Sequence, residues 1–303
     1  MNKIILTGAS GLLGRAITPV LSPDYRLVRL GLRRAGKGIK RLDLLDTSQI
    51  SAFIQAEQPD IIIHSAAERR PDISQKDPAA TLALNVGVTR HLAQLSRQTG
   101  AWMIYLSTNY VFDGKNPPYH PADKTNPLNL YGQSKLEGEM AIWAETDQAC
   151  VLRVPALYGK VEFLGETSIT QIAEQIQTPG SISIDHWAIR CPTWVDDVAV
   201  VCRQLIAYYL RNSNFNGTFH WSADEPMTKY EIAQIMAEAL DYPTSHLVPS
   251  RDPPAGAPRP RNCQLDCSDL ELLGFGKRTP FRQAIQASLG IRPSKELTTN
   301  PNN

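Results

Sequence analysis

The sequence predicts an α/β fold, a doubly wound parallel sheet with a smaller C-terminal α/β lobe. Three observations point to it. Short, apolar, β-rich runs recur at residues 3–6, 26–30, 60–63, 103–106 and 151–154. Helix-period stretches fill the gaps at residues 12–21, 47–57, 79–99 and 134–146. A glycine-rich turn joins the first strand to the first helix. Strands apolar along nearly their whole length belong to a parallel sheet covered on both faces, and right-handed crossovers place helices on the two sides.

Composition narrows the function classes. A chain of 303 residues fits one large domain or two moderate ones. With 42% hydrophobic and 20% charged residues it has material for a core. The 31 basic and 30 acidic residues leave a net charge of +1, which removes the bulk electrostatic argument for binding nucleic acid or a membrane surface. No run approaches the roughly 18–20 apolar residues of a membrane span. The chain passes from Met-Asn-Lys straight into a strand, without a basic and then apolar leader. Cys150, Cys191, Cys202, Cys263 and Cys267 are scattered and odd in number, and read as reduced thiols. A cytoplasmic protein is expected.

The first strand leads into Thr7-Gly8-Ala9-Ser10-Gly11-Leu12-Leu13-Gly14. Gly8 permits the tight turn, Gly11 the approach of a pyrophosphate to backbone, and Gly14 close packing of helix on strand. The helix N-terminus adds free N–H groups and partial positive charge. A nucleotide cofactor in a Rossmann site is expected. After the second strand come Leu32, Arg33 and Arg34, with no acid between Asp24 and Asp43. Two guanidiniums suit a 2′-phosphate, so NADP(H) is favoured over NAD(H).

The fourth strand ends Leu106-Ser107-Thr108, and ligands bind outside the carboxyl ends of such strands. Tyr131 and Lys135 then stand at i and i+4 at a helix start. A phenol with a pKa of about 10 is a poor acid or base at neutral pH. A neighbouring ammonium favours the phenolate and fits it for proton exchange with a carbonyl. Lys135 is also placed to hold a nicotinamide ribose, and Thr108 to bond the reacting oxygen.

Beyond residue 159 the alternation weakens. Helical patterns lie at 169–177, 194–209, 229–240 and 281–289, with a strand-like run at 217–221. Residues 248–261 hold five of the 22 prolines and read as an extended loop without ladder bonding. Residues 1–160 are expected to form the Rossmann domain, completed by parts of 190–222. Residues 161–291 are expected to hold the smaller lobe, and 292–303 a disordered tail. The run Glu68-Arg69-Arg70 is either a cofactor contact or a local ion-pair cluster. Cys263 and Cys267 lack a second cysteine pair or clustered histidines, so no metal site is expected.

TGASGLLG, STNYVFDG and YGQSK together resemble the extended short-chain dehydrogenase/reductase family. Within it, STNYVFDG, PLNLYGQSKLEGE and RVPALYG resemble the dTDP-4-dehydrorhamnose reductases. HSAAERRPD, DHWAIRCPT, GTFHWS, MTKYE and PRPRNCQLDCSDLELLGFGKRTPF look closer still to the regulatory β subunits of methionine adenosyltransferase. The resemblance implies an NADP-binding lobe and a small C-terminal lobe for substrate or partner. It places catalytic roles on Thr108, Tyr131 and Lys135. Cofactor contacts fall on Ser10 to Leu13, on Leu32, Arg33 and Arg34, on Asp43 and Leu44, on Ser65, Ala66, Ala67 and Arg69, and on Leu157. Asn85 matches a structural asparagine near the active site. His186, Trp187 and Arg190 lie in the segment that lines the pocket between lobes. Arg259 and Arg261 either meet a nucleotide diphosphate or stay solvated.

Two departures stand out. The reductases carry aspartate after the threonine, where this chain has Asn109 followed by Tyr110. Asparagine offers an amide donor where an ionised aspartate only accepts, so Asn109 is expected to set specificity at the pocket mouth. Asn109-Tyr110 also lacks the Asp-Glu of the sugar-nucleotide dehydratases, which disfavours dehydration. The regulatory subunits end in an aromatic, basic tail, whereas residues 292–303 hold no aromatic residue. The expected activity is NADPH-dependent reduction of a 4-keto sugar nucleotide, a dTDP-sugar among the candidates, or a similar carbonyl. The alternatives are a non-catalytic regulatory subunit partnering methionine adenosyltransferase in S-adenosylmethionine synthesis, or a redox-sensing NADP-binding protein.

Overall fold

Residues 1–290 are described by a computed structural model, and the tail expected at 292–303 lies outside the described residues. The strands are β1 (Lys3–Thr7), β2 (Arg26–Gly31), β3 (Ile39–Arg41), β4 (Ile61–His64), β5 (Trp102–Thr108), β6 (Ala149–Val154), β7 (Leu157–Tyr158), β8 (Ile182–Asp185), β9 (Thr193–Trp194), β10 (Gly217–His220) and β11 (Leu247–Ser250). The helices are α1 (Leu12–Leu21), α2 (Thr47–Glu57), α3 (Pro71–Lys76), α4 (Pro78–Leu82), α5 (Thr89–Thr99), α6 (Leu130–Glu145), α7 (Ile172–Ile176), α8 (Val195–Tyr209), α9 (Lys229–Leu240), α10 (Ser268–Leu272) and α11 (Phe281–Ser288).

Seven strands form one parallel sheet in the order β3-β2-β1-β4-β5-β6-β10. This is the doubly wound α/β arrangement, extended by one strand at the β6 edge. Alternate residues of each strand enter opposite cores. Ile4, Leu6, Ile61 and Ile63 pack with α1 and α8, while Ile5 and Ile62 pack with α2 and α5. Covering both faces explains why β4 reads Ile-Ile-Ile-His with every side chain buried. A third core unites Tyr158, Ile172, Ile184, Trp194, Met236 and Phe281 beneath α7, α9 and α11. Beside it β8 and β11 pair in parallel.

Three expectations change. The continuous helix over 79–99 is α4 and α5 joined by a π-helical turn, Ala83–Val88, which turns Asn85 inward. The three-residue β3, half-buried to exposed, carried no apolar signal. Residues 248–250 join a ladder despite Pro249. At the two ends of that ladder the carbonyls of His246, just before β11, and of Ser250 accept from the Ile182 and His186 N–H groups, and in this alternation Pro249 falls where no donor towards β8 is required.

Two histidines are sealed into this scaffold as neutral rings. His64 lies between the Thr7 and Thr89 hydroxyls at 2.8 and 3.1 Å, and burial lowers its pKa to about 3. His220 is lowered to about 3 by burial and then by Arg153. The unfolded chain protonates both near 6.5, so unfolding takes up protons between pH 6.5 and 3, and stability falls as pH drops through that window. Urea titrations at pH 7 and 5 should show the loss, and His64→Gln should flatten the slope by about 1 kcal/mol per pH unit.

Candidate active site

β1 delivers Gly8 at φ +66, where a side chain would come within 2.8 Å of the Ala66 nitrogen. A methyl group on Gly14 would run into the Gly8 carbonyl and the Ala9 backbone. Gly11 is the N-cap of α1 and supplies no side-chain acceptor, which leaves first-turn N–H groups for an external anion. These are the features a dinucleotide pyrophosphate requires, and the turn fits one. Ser10 lies beside Gly31 at the end of β2. Ser65 donates to the Thr7 carbonyl at 2.7 Å and locks the loop after β4, with Ala66 and Ala67, against β1.

Leu32, Arg33 and Arg34 are exposed just beyond β2. Asp43 accepts from the Leu45 N–H at 3.0 Å, Leu44 is buried beside it, and Leu157 is half-buried in β7. Acidic partners from residues 162–166 also reach this corner. Glu162 pairs with Arg34. Glu166, which is buried, takes both terminal nitrogens of Arg15 at 2.8 Å. Arg69 donates to the Glu166 carbonyl, while Arg70 pairs locally with Glu68 at 2.7 Å.

β5 ends at Thr108, whose buried hydroxyl caps the next turn by accepting from the Tyr110 N–H at 3.2 Å. α6 begins under Asn129, which accepts from the Gly132 N–H at 2.9 Å. Gly132 lets this turn close on the Tyr110 carbonyl. Tyr131 and Lys135 project from that first stretch of α6. Tyr131 is half-buried, and burial pushes its phenol up to about 12 against hydrogen bonding from Thr108 and the charge of Arg69. Lys135 is buried, with Nζ 3.9 Å from the centre of the Tyr105 ring. Burial brings its amine down to about 7, and Glu139 opposes that fall. Burial thus outweighs what Thr108 and Arg69 do for the phenolate, so the shift runs opposite to the one a neighbouring ammonium would give.

The pocket candidates separate. Asn85 accepts from the Glu68 N–H and donates to the Glu68 carbonyl and Ser134, each at 2.9 Å, so it ties the β4 loop to α6. Asn109 donates its amide to the Cys263 carbonyl at 2.9 Å. That ties its amide to backbone from a distant loop. Tyr110 meets Tyr131 edge-on at 6.1 Å, with Arg190 and Arg259 close enough to oppose the rise that burial gives its phenol. Arg190 is held by Asp185 at 2.7 Å and Arg259 by Asp72. His186 and Trp187 line a cavity of about 360 Å³ with Met227, Thr228 and Arg261.

Lys229 was not singled out in the sequence, although it lies in the MTKYE string. Burial and then Arg190 lower it to about 8, with Asp185, Arg259 and Asp72 also near. Nothing in its own segment signals that site, because its neighbours come from three other places in the chain. Cys263 and Cys267 are buried free thiols within the main core. Among the described residues no group of three His, Cys, Asp or Glu side chains gathers to hold a metal ion, and no helix is long and apolar enough to cross a membrane.

The family model described as RmlD substrate binding domain matches residues 1–291. Methionine adenosyltransferase 2 subunit beta of Bos taurus is 48% identical over 291 residues, covering 95% of this chain and 87% of the relative. A dTDP-4-dehydrorhamnose reductase of Sinorhizobium fredii is 29% identical over 286 residues, covering 92% and 93%. Among solved structures, dTDP-4-dehydrorhamnose reductase from Bacillus anthracis in complex with NADP superposes with a TM-score of 0.82 at 27% identity, covering 95% of this chain and 97% of the other. The Thermus thermophilus UDP-glucose 4-epimerase complex with NAD, at 20% identity and a TM-score of 0.79 over 95% and 98%, shares the fold.

The Asn109 contact predicts a stability effect. Asn109→Asp should set a carboxylate against the Cys263 carbonyl and cost roughly 1–3 kcal/mol at neutral pH. The deficit should shrink towards pH 4, as the protonated acid regains a donor. Urea titration of both proteins at pH 7 and 4.5 checks it.

Proposed function

The chain belongs to the family described as the RmlD substrate binding domain, and from that premise we propose that it is an NADP(H)-dependent reductase of a 4-keto sugar nucleotide or a similar carbonyl. The observation that carries this reading is the meeting of Thr108, Tyr131 and Lys135 at the carboxyl ends of the strands, on the same sheet edge as the glycine turn. Solved relatives bound to NADP or NAD support a nicotinamide dinucleotide. Gly8, Gly11 and Gly14 would hold its pyrophosphate, and Arg33 and Arg34 the 2′-phosphate.

When bound, NADPH would supply the hydride for the substrate's carbonyl carbon. Tyr131 gives its proton to the carbonyl oxygen as negative charge gathers there. Its raised pKa keeps the proton in place until then. The ammonium form of Lys135, already present near neutrality, steadies the phenolate left behind. Thr108 orients the oxygen. Arg190 and Arg259 beside Tyr110, with Lys229 near both, outnumber their carboxylate partners Asp185 and Asp72, a balance suited to the diphosphate of a sugar nucleotide.

One observation favours a second reading. Identity to the methionine adenosyltransferase β subunit is 48%, against 29% to the reductase from Sinorhizobium fredii. In that reading the same crevice holds NADP(H) as a structural ligand, and the partner is a methionine adenosyltransferase catalytic subunit.

Two measurements test the proposal. Calorimetry should place NADPH well ahead of NADH, and Arg34→Ala should narrow the gap by about 1.5–3 kcal/mol, the worth of one charge-assisted bond. Purified protein should oxidise NADPH with dTDP-4-keto-6-deoxyhexose, and Tyr131→Phe should lose roughly 10²–10⁴-fold in rate while still binding NADPH. Tight NADPH binding without turnover on a panel of keto-sugar nucleotides, together with co-purification with methionine adenosyltransferase, would select the second reading.

A further inference from the structure

Beneath the Tyr131–Lys135 pair lies a buried polar node outside the roles assigned above. Glu139 follows Lys135 by four residues on α6, so Tyr131, Lys135 and Glu139 rise in successive turns along one stripe of the helix. Its carboxylate is sealed from solvent. It accepts from the Ser107 hydroxyl, and from Arg153 Nε at 3.0 Å and a terminal nitrogen at 2.6 Å. Ser107 and Arg153 are register partners on β5 and β6, and Ser107 directly precedes Thr108. Arg153 is buried too, and also donates to the Pro121 carbonyl at 3.1 Å. One carboxylate thus joins the helix carrying Tyr131 and Lys135 to the strand carrying Thr108.

We propose that Glu139 is a positioning residue for the Tyr131–Lys135 pair: clamped by Ser107 and Arg153 one helical turn beyond Lys135, its carboxylate favours the Lys135 ammonium through space and so sets the charge that faces the phenol. The inference rests on Lys135 and Tyr131 being the working pair. The charged and titratable groups around Lys135 are few. Glu139 and Tyr131 share its helix, the Tyr105 ring of β5 lies under Nζ, and His64 of β4 is near enough to feel its charge. Arg153 of β6 stands behind Glu139, and Arg69 and Glu68 face Tyr131 from the β4 loop. Glu139 is the acid among them whose charge bears on Lys135.

The test is an NMR titration of the full chain carrying lysine labelled with ¹³C at Cε, with the Lys135 signal assigned by its loss in Lys135→Arg. This readout needs no turnover, so failure of the reductase reading and failure of this inference are told apart. In the unmutated protein the Lys135 midpoint should lie near 7. Glu139→Gln should lower it by about one unit or more, because the attracting charge is gone and Arg153 is left uncompensated. Glu139→Asp should restore most of the shift. Should Glu139→Gln fail to fold, Glu139→Gln with Arg153→Met removes both charges together, which proteins tolerate better, and should give a smaller shift in the same direction. If reductase turnover is found, the limb of its pH–rate profile that follows Lys135 should move in parallel. A folded Glu139→Gln protein or double variant whose Lys135 midpoint is unmoved would overturn the proposal and leave Glu139 a scaffold residue.

Discussion

A carboxylate taken out of water must find its donors where it sits, and in this protein that requirement fixes how α6 lies on the sheet. Glu139 meets Ser107 and Arg153, which are paired across β5 and β6. Removing one partner from such a buried pair costs about 3–5 kcal/mol, because the other charge is left bare. The helix therefore has one favoured rotation over the strands. Gly138 lets it approach the Tyr105 ring and hydroxyl, and Gly132 lets its first turn reach the Tyr110 carbonyl. With rotation and height set, Tyr131 and Lys135 emerge at the end of β5.

The parallel sheet supplies the other half of the geometry. All its strands run one way, so the glycine turn, the arginine corner and Thr108 share one edge. Two distant segments then flank the crevice. One runs from Lys160 to Glu166 and is bound through Arg15, Arg34 and Arg69. The other is the proline-rich loop, pinned at Pro258 by Asn129, at Ala257 and Arg259 by Asp72, and at Cys263 by Asn109. Asn129 caps α6 and anchors that loop at once, so the helix start and the pocket wall are one construction.

The sequence made the parts of the site with a fixed local spacing legible. Gly8, Gly11 and Gly14 act within a single turn, and Tyr131 and Lys135 within a single helix, so spacing alone determines their geometry. The strand pattern was readable because burial on both faces leaves apolar runs. Long-range partners left no such trace. Asn109 finds Cys263 154 positions away, and Lys229 sits among residues from three other segments. β3 and β11 escaped because one is short and largely exposed, and the other carries a proline that its ladder happens to tolerate. The upward shift of Tyr131 left no trace either, since burial depends on everything packed around the phenol.

We propose that Thr108, Tyr131 and Lys135 prepare a substrate carbonyl to take hydride from NADPH bound beside them. The most direct measurement is transfer of label: protein incubated with NADPH deuterated at the reactive C4 position and dTDP-4-keto-6-deoxyhexose, with the sugar nucleotide then weighed by mass spectrometry. The account predicts a reduced product carrying a single deuterium on the former carbonyl carbon, absent with Tyr131→Phe over the same interval. Unreduced, unlabelled sugar nucleotide recovered from protein shown to be saturated with NADPH would contradict it.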